Sequence, residues 1–287
     1  MILEKLLIPL ASGAEHAAHA TDTAAAHGGG PPELPNLVHM IYLAFGETFH
    51  SWHVWENVIY GFVVLLLLCV VSMRVYRRRK LVPGKLQNVA EMAVEGLDSF
   101  FHSIIGKHSR PFTPFLGTLF IYVLCMNLMG LVPLMKSPTS SMNITLSLAL
   151  VVFFYVQYAG MRRLGIIKYI DHFLGEPRDV MGWILVPINL PIHFISELAK
   201  PVSLSLRLFG NITGEDVLIA AFTFLGITML GFLHGAVATP EWARIGIPLQ
   251  LPFYFLALLT STIQALVFTL LSTVYFAMMM PHEEEEH

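Results

Sequence analysis

Long runs without charge alternate along this chain with short charged or proline-rich breaks. Val54 to Met73 is the first run, and it closes on Arg74, Arg77, Arg78, Arg79 and Lys80. About 20 apolar residues suffice to cross a bilayer as a helix. A second span is predicted over residues 112–134, begun at Pro111 and Pro114 and ended at Pro133, with Asn127 in its outer part. Residues 135–142 form a short outer loop with one lysine, Lys136. A third span covers residues 143–161, starting at Asn143 and Thr145. The next apolar stretch, residues 180–235, is too long for one perpendicular span. Pro187, Pro191 and Pro201 interrupt its first half, and proline disfavours a helix interior. The pattern predicts a shallow segment over residues 180–199, continuing into a long tilted helix from about Pro201 to Leu233. Residues 235–246 return outside. A second long helix over residues 247–279 completes a hairpin.

One stretch has a different period. After the turn Val82-Pro83-Gly84-Lys85, residues 86–105 place Leu86, Val89, Ala90, Ala93, Val94, Leu97, Phe100, Phe101 and Ile104 on a helical stripe. Glu91, Glu95, Asp98 and His102 fall largely off it. A helix of this kind lies on the cytoplasmic membrane surface or packs on a partner. The predicted fold class is an all-α integral membrane protein with about five transmembrane helices and one amphipathic surface helix. Residues 37–281 form a single transmembrane helical domain, preceded by a mobile leader over residues 1–36 and followed by an acidic tail over residues 282–287. The leader is rich in Ala, His and Gly and ends in Gly28-Gly29-Gly30-Pro31-Pro32. Its start faintly resembles a signal peptide, but Glu4 argues against cleavage. His16, His19 and His27 sit in low-complexity sequence, where a solvated tail outweighs a metal site.

Composition agrees. Of 287 residues, 55% are hydrophobic and 13% charged, against about 25% charged in soluble domains. The basic cluster after the first span marks its cytoplasmic end by the positive-inside rule. Arg162, Arg163, Lys168, His172 and Arg178 mark the same side after the third span. The N-terminus is then outside and the C-terminus cytoplasmic. At a helix end such basic clusters contact lipid headgroups rather than nucleic acid. Cys69 and Cys125 both lie in apolar runs and read as isolated thiols. There is no G-x-x-x-x-G-K-[ST] loop to grip nucleotide phosphates. No metal or cofactor is assigned.

The chemistry concentrates around one arginine. Arg207 lies in an apolar helical run, and the twenty residues after Asp216 carry no Lys, Arg, Asp or Glu. An arginine at bilayer depth costs about 2.5–3.5 kcal/mol on insertion scales and faces a bundle interior or a water path. At about 100° per residue, Ser203, Asn211, Gly214 and Leu218 share its face, whereas Asp216 falls on the opposite side and Glu215 lies about 80° away. One reading has both acids neutralised by another helix and holding the bundle together. The other gives the arginine to a partner surface and the acids to a wet path for protons or ions, with Asp216 as a relay carboxylate. On the last helix, Gln264 needs partners in lipid, and an arginine on a neighbouring helix would supply them. Thr260, Ser261, Thr262, Ser272, Thr273 and Tyr275 are weaker signals, because hydroxyls bond back to their own helix. His193 and Glu197, four apart on the shallow segment, form either a surface pair or part of a proton path.

Lys200-Pro201-Val202-Ser203-Leu204-Ser205-Leu206-Arg207-Leu208-Phe209-Gly210-Asn211 resembles the signature of subunit a of the rotary F-type ATP synthase membrane sector. Ile263-Gln264-Ala265-Leu266-Val267-Phe268 resembles that family's last-helix motif. Val82 to Gln87, Met126 to Pro133 and Pro138 to Leu150 resemble it too, in the family's order, so the resemblance covers roughly residues 37–280. It implies a stator beside a ring of c subunits, held with peripheral-stalk b subunits in the lipid bilayer of an energy-coupling membrane such as the bacterial inner membrane. By the same resemblance, the chain would be a component of a proton-translocating ATPase complex that binds no nucleotide and carries no catalysis of its own. The resemblance makes Arg207 the charge that meets each c-subunit carboxylate, with two ion half-channels on either side. Asn211 and Gln264 become its polar neighbours. Asp216 falls, without gaps, where the family often carries a half-channel glutamate or histidine, with Glu215 adjacent. The last-helix position that often pairs with that acid is Ala257 here, and His234 is a candidate replacement. Family members can carry an acid in the second span where this chain has Gly130. The competing functions are a secondary transporter subunit, for which no internal repeat is found, and a non-conducting scaffold, which has no use for a midplane arginine. Protons are the default ion over sodium, since the ion is bound on the c subunit.

Overall fold

The computed structural model describes residues 55–77, 79–80, 84–106, 109–132, 135–165, 169, 174, 180–233 and 249–278. The leader, His234 and the acidic tail lie outside them. The described residues fold as α1 (Glu56–Arg77), α2 (Lys85–Ile105), α3 (Thr113–Met129), a 3-10 turn (Pro138–Ser140), α4 (Met142–Leu164), α5 (Val180–Leu233) and α6 (Leu251–Met278). Four of these are long and apolar enough to cross a membrane, and α3 is a shorter apolar helix. The chain is an all-α integral membrane protein, because in lipid only helices and closed barrels satisfy the backbone internally.

Each boundary has a local cause. Helix α1 carries Glu56 in its first turn and Arg74 and Arg77 in its last, both favourable to the helix dipole. Helix α2 stops at Gly106, whose φ of 75° suits glycine and whose N–H donates to the His102 carbonyl. Its apolar stripe is only partly used. Phe101 is fully buried, while Val89 and Val94 stay exposed. Helix α3 ends at Met129 rather than running to residue 134. Gly130, Leu131 and Val132 instead donate to the carbonyls of Asn127, Leu128 and Met129, three residues back. These turn bonds tighten the chain so that it doubles back.

The largest departure from expectation is α5, a single 54-residue helix with Pro187, Pro191 and Pro201 inside it. No break separates residues 180–199 from the rest. Each proline leaves the carbonyl four residues earlier without its helix donor, yet the helix continues through all three. Its rise is about 80 Å, far beyond the roughly 30 Å of a hydrocarbon core.

Two compact units divide the chain. The first takes residues up to Val64, Leu124–Ser141 and Gly210–Ile263. Here Phe222 of α5 stacks on Phe253 of α6 at 3.9 Å, and Glu215 meets Ser261. Numbers fall on α6 as they rise on α5, so the two helices run antiparallel, as the predicted hairpin requires. The second unit takes Leu65–Val123, Met142–Phe209 and the chain from Gln264. Its core is aromatic. Phe276 packs on Phe112 at 4.8 Å and on Tyr155 at 5.5 Å, and Phe115 stacks on Tyr155 at 4.3 Å. Cys69 and Cys125 are free thiols, as expected from their positions.

Candidate functional site

Helix α5 carries two contrasting faces around Arg207. Leu204, Ser205, Leu208, Ile212, Ile219 and Ala220 are buried. Ser203, Leu206, Arg207, Gly210, Gly214 and Leu218 are exposed. The exposed positions recur every three or four residues and form one stripe. Methyl groups added at Gly210 and Gly214 would meet nothing within 4 Å. The stripe is therefore open, with room for another surface to come close to the helix backbone. Among the described residues, no hydrogen bond or ion pair reaches the guanidinium of Arg207.

The acids take different positions. Both carboxylate oxygens of half-buried Glu215 are hydrogen bonded. Asn211 Nδ2 donates to Oε1 at 2.9 Å, and Ser261 Oγ of α6 donates to Oε2 at 3.3 Å. Asn211 therefore spends its amide on Glu215. Asp216 is also half-buried. Ala257 is buried, and one helical turn later Ser261 supplies the hydroxyl that Ala257 lacks. Gln264 is buried, but its Nε2 has no hydrogen-bond partner among the described residues. The expected Arg207–Gln264 bond is not made.

Behind Ser261 lies a polar chain that periodicity missed. Asn127 Nδ2 donates to the Ser261 carbonyl at 3.2 Å. Thr139 Oγ1 donates to Asn127 Oδ1 at 2.7 Å. Ser137 Oγ lies 2.7 Å from Thr139 Oγ1 and 3.1 Å from the Met126 carbonyl. Asn127 is 2% exposed and Thr139 0%. An asparagine within an apolar span was the available signal. Ser137 and Thr139 read as loop residues, and only the reversal after Met129 buries them.

In the second unit, Glu197 bonds to Lys200, three residues on, and accepts from Gln157 Nε2 at 3.1 Å. It is not hydrogen bonded to His193, which is half-buried. Tyr169 donates its phenolic hydrogen to Gln157 Oε1. Burial, and secondarily the Glu197 carboxylate, pushes this phenol above its usual range, which keeps it a donor. Gln157, Tyr169 and Glu197 line an otherwise apolar cavity of about 340 Å³ with Phe153, Leu190 and Phe194. The Lys200 ammonium sits 5.4 Å from the Tyr275 ring centroid, close enough for cation–π attraction. Tyr275 lies in the electrostatic field of both Arg207 and Glu197. No cluster of three metal-ligating side chains occurs among the described residues.

Comparison with known proteins places this arrangement. The family described as ATP synthase A chain matches residues 58–277. ATP synthase subunit a of Protochlamydia amoebophila is 44% identical over 89% of this chain and 92% of its own length. The subunit a of Oleidesulfovibrio alaskensis is 40% identical over 79% of this chain and 87% of its own. That of Campylobacter jejuni is 33% identical over 81% and 93%. With the arginine and glutamine motifs in order on two antiparallel helices, the chain belongs to the subunit a family of F-type ATP synthases.

Proposed function

We propose that this chain is the stator that couples ion flow to rotation, presenting Arg207 to the carboxylates of a c-subunit ring. Membership of the family makes it one subunit of a membrane complex; the c-ring, the peripheral-stalk b subunits and a bacterial inner membrane are the finer reading. The observation that carries it is the open stripe of Ser203, Arg207, Gly210 and Gly214. A guanidinium on an unobstructed face, bonded to no carboxylate among the described residues, is suited to an acid brought by a partner.

A guanidinium beside a carboxylate favours the ionised form, so a bound proton leaves as the ring carboxylate arrives. Arginine suits this better than lysine because it stays charged in a poorly hydrated site. Its fixed charge also blocks direct passage of cations between two half-channels, so ions ride the ring. Each charge crossing 100 mV carries about 2.3 kcal/mol, which rotation delivers to the nucleotide-binding subunits. Glu215 is taken as the half-channel acid, because two side chains from two helices orient both of its oxygens. Ser261 stands in for the partner expected at Ala257. Glu197, with Gln157 and the nearby cavity, belongs to a path on the other side of Arg207.

The test is ATP-driven proton pumping in inverted membrane vesicles. Arg207→Ala is expected to abolish acidification while the chain still assembles. Full pumping by that variant would overturn the reading.

A further inference from the structure

We propose that Thr139 and Asn127 are positioning residues for ion passage, acting through Ser261 on the Glu215 carboxylate. The inference rests on the assignment of Glu215 as a half-channel acid.

Donor accounting gives the chain a direction. Each hydroxyl has one hydrogen to give. Thr139 gives its hydrogen to Asn127 Oδ1 at 2.7 Å. Ser137, whose oxygen is 2.7 Å from that of Thr139, then donates to Thr139 or to the Met126 carbonyl. Asn127 has its orientation fixed from both ends. Its oxygen must face the Thr139 hydroxyl and its nitrogen the Ser261 carbonyl. The polarity runs from Thr139 through Asn127 to Ser261, and hydrogen bonds aligned this way strengthen one another. Ser261 receives at its carbonyl and gives from its hydroxyl to Glu215. A turn beyond the end of α3 is thereby wired to the carboxylate of α5 through one residue of α6.

The consequence is specific to Asn at 127 and a hydroxyl at 139. An aspartate at 127 would set a carboxylate against the Ser261 carbonyl. A valine at 139 keeps the volume but leaves Asn127 Oδ1 buried without its donor. Asn127 is then free to turn, and the Ser261 backbone loses the contact that fixes its depth opposite Glu215. A serine at 139 restores the donor. A purely structural role would lower the chain content without moving the pH profile.

The experiment uses the assembled complex in inverted vesicles, with chain content measured by immunoblot and ATP-driven pumping recorded against pH. Glu215→Gln tests the underlying assignment and is expected to lose about tenfold or more in pumping rate. Thr139→Val is expected to lose about tenfold and to displace the pH profile by about half a unit or more, with Thr139→Ser restoring both. Ser137→Ala, which leaves the Thr139–Asn127 bond in place, is expected to displace the profile in the same sense but by less. It supplies the test if the valine variant does not accumulate. An unchanged rate and profile in Thr139→Val, or an unchanged profile in Ser137→Ala where valine fails, alongside an impaired Glu215→Gln, overturns the positioning role alone. A Glu215→Gln variant that pumps at the original rate overturns the assignment on which it rests.

Discussion

Gly130 shows how much one side chain decides here. A methyl group at this position would lie 2.9 Å from Ser137 Cβ, 3.4 Å from the Ser137 amide nitrogen and 3.5 Å from the Asn127 carbonyl oxygen. The space that a side chain here would take is filled by the returning turn. Hence Gly130→Ala is expected to destabilise the packing by about 1–3 kcal/mol, the usual cost of overfilling a tight site. The temperature at which the chain dissociates from the detergent-purified complex should fall measurably. An unchanged temperature would show that Ser137 moves aside without cost. The same closeness explains why Thr139 and Ser137 escaped sequence reading. Nothing in Ser137-Pro138-Thr139-Ser140 distinguishes a solvated loop from one folded against a helix end. Arg207 was legible because a charge in an apolar run demands a use, and Asn127 was half legible for the same reason.

At the scale of the helix, α5 turns a period into a surface. Its buried residues anchor it, and its exposed ones leave an open face around Arg207. Gly214 has nothing within 4 Å of an added methyl group, so Gly214→Leu should leave the chain folded and assembled in the membrane. It should nonetheless cut ATP-driven pumping about tenfold or more, because a bulky side chain holds the ring away from the charge. Gly214→Ala, which gains up to about 1 kcal/mol of helix propensity, should pump nearly normally. Equal activity of the leucine and alanine variants would argue against close approach on this face. Part of the stripe was readable from residue spacing: Ser203, Gly214 and Leu218 are exposed with Arg207, whereas Asn211, placed on the same face, is half-buried and bonded to Glu215. The continuity of α5 was not. Three prolines argue for interruption when read one at a time, and only the folded helix shows them carried through. The early end of α3 was equally hidden, because Gly130 to Val132 is as apolar as the helix before it and only its turn bonds separate the two.

For the whole molecule, the basic residues decide which way the chain faces. Five cations stand within Arg74 to Lys80, and Arg162, Arg163, Lys168 and Arg178 follow the third span, whereas residues 135–142 contain only Lys136. Short loops rich in Lys and Arg stay on the cytoplasmic side, so the rule predicts that α1 ends inside, α3 outside and α4 inside. This sidedness has a functional consequence. On the proposed function, it would put Glu215, Ser261, Asn127 and Thr139 in the half-channel open to the outside, and Glu197 with Gln157 in the one open to the cytoplasm. Single cysteines test it in a chain whose Cys69 and Cys125 are replaced by serine. Met135 and Gly84 are both exposed, and changing either leaves the basic residues in place. Met135→Cys is expected to react with a membrane-impermeant thiol reagent in intact cells, and Gly84→Cys only in inverted vesicles. The reverse pattern would exchange the two half-channels, and with them the direction in which each acid hands its ion to the ring.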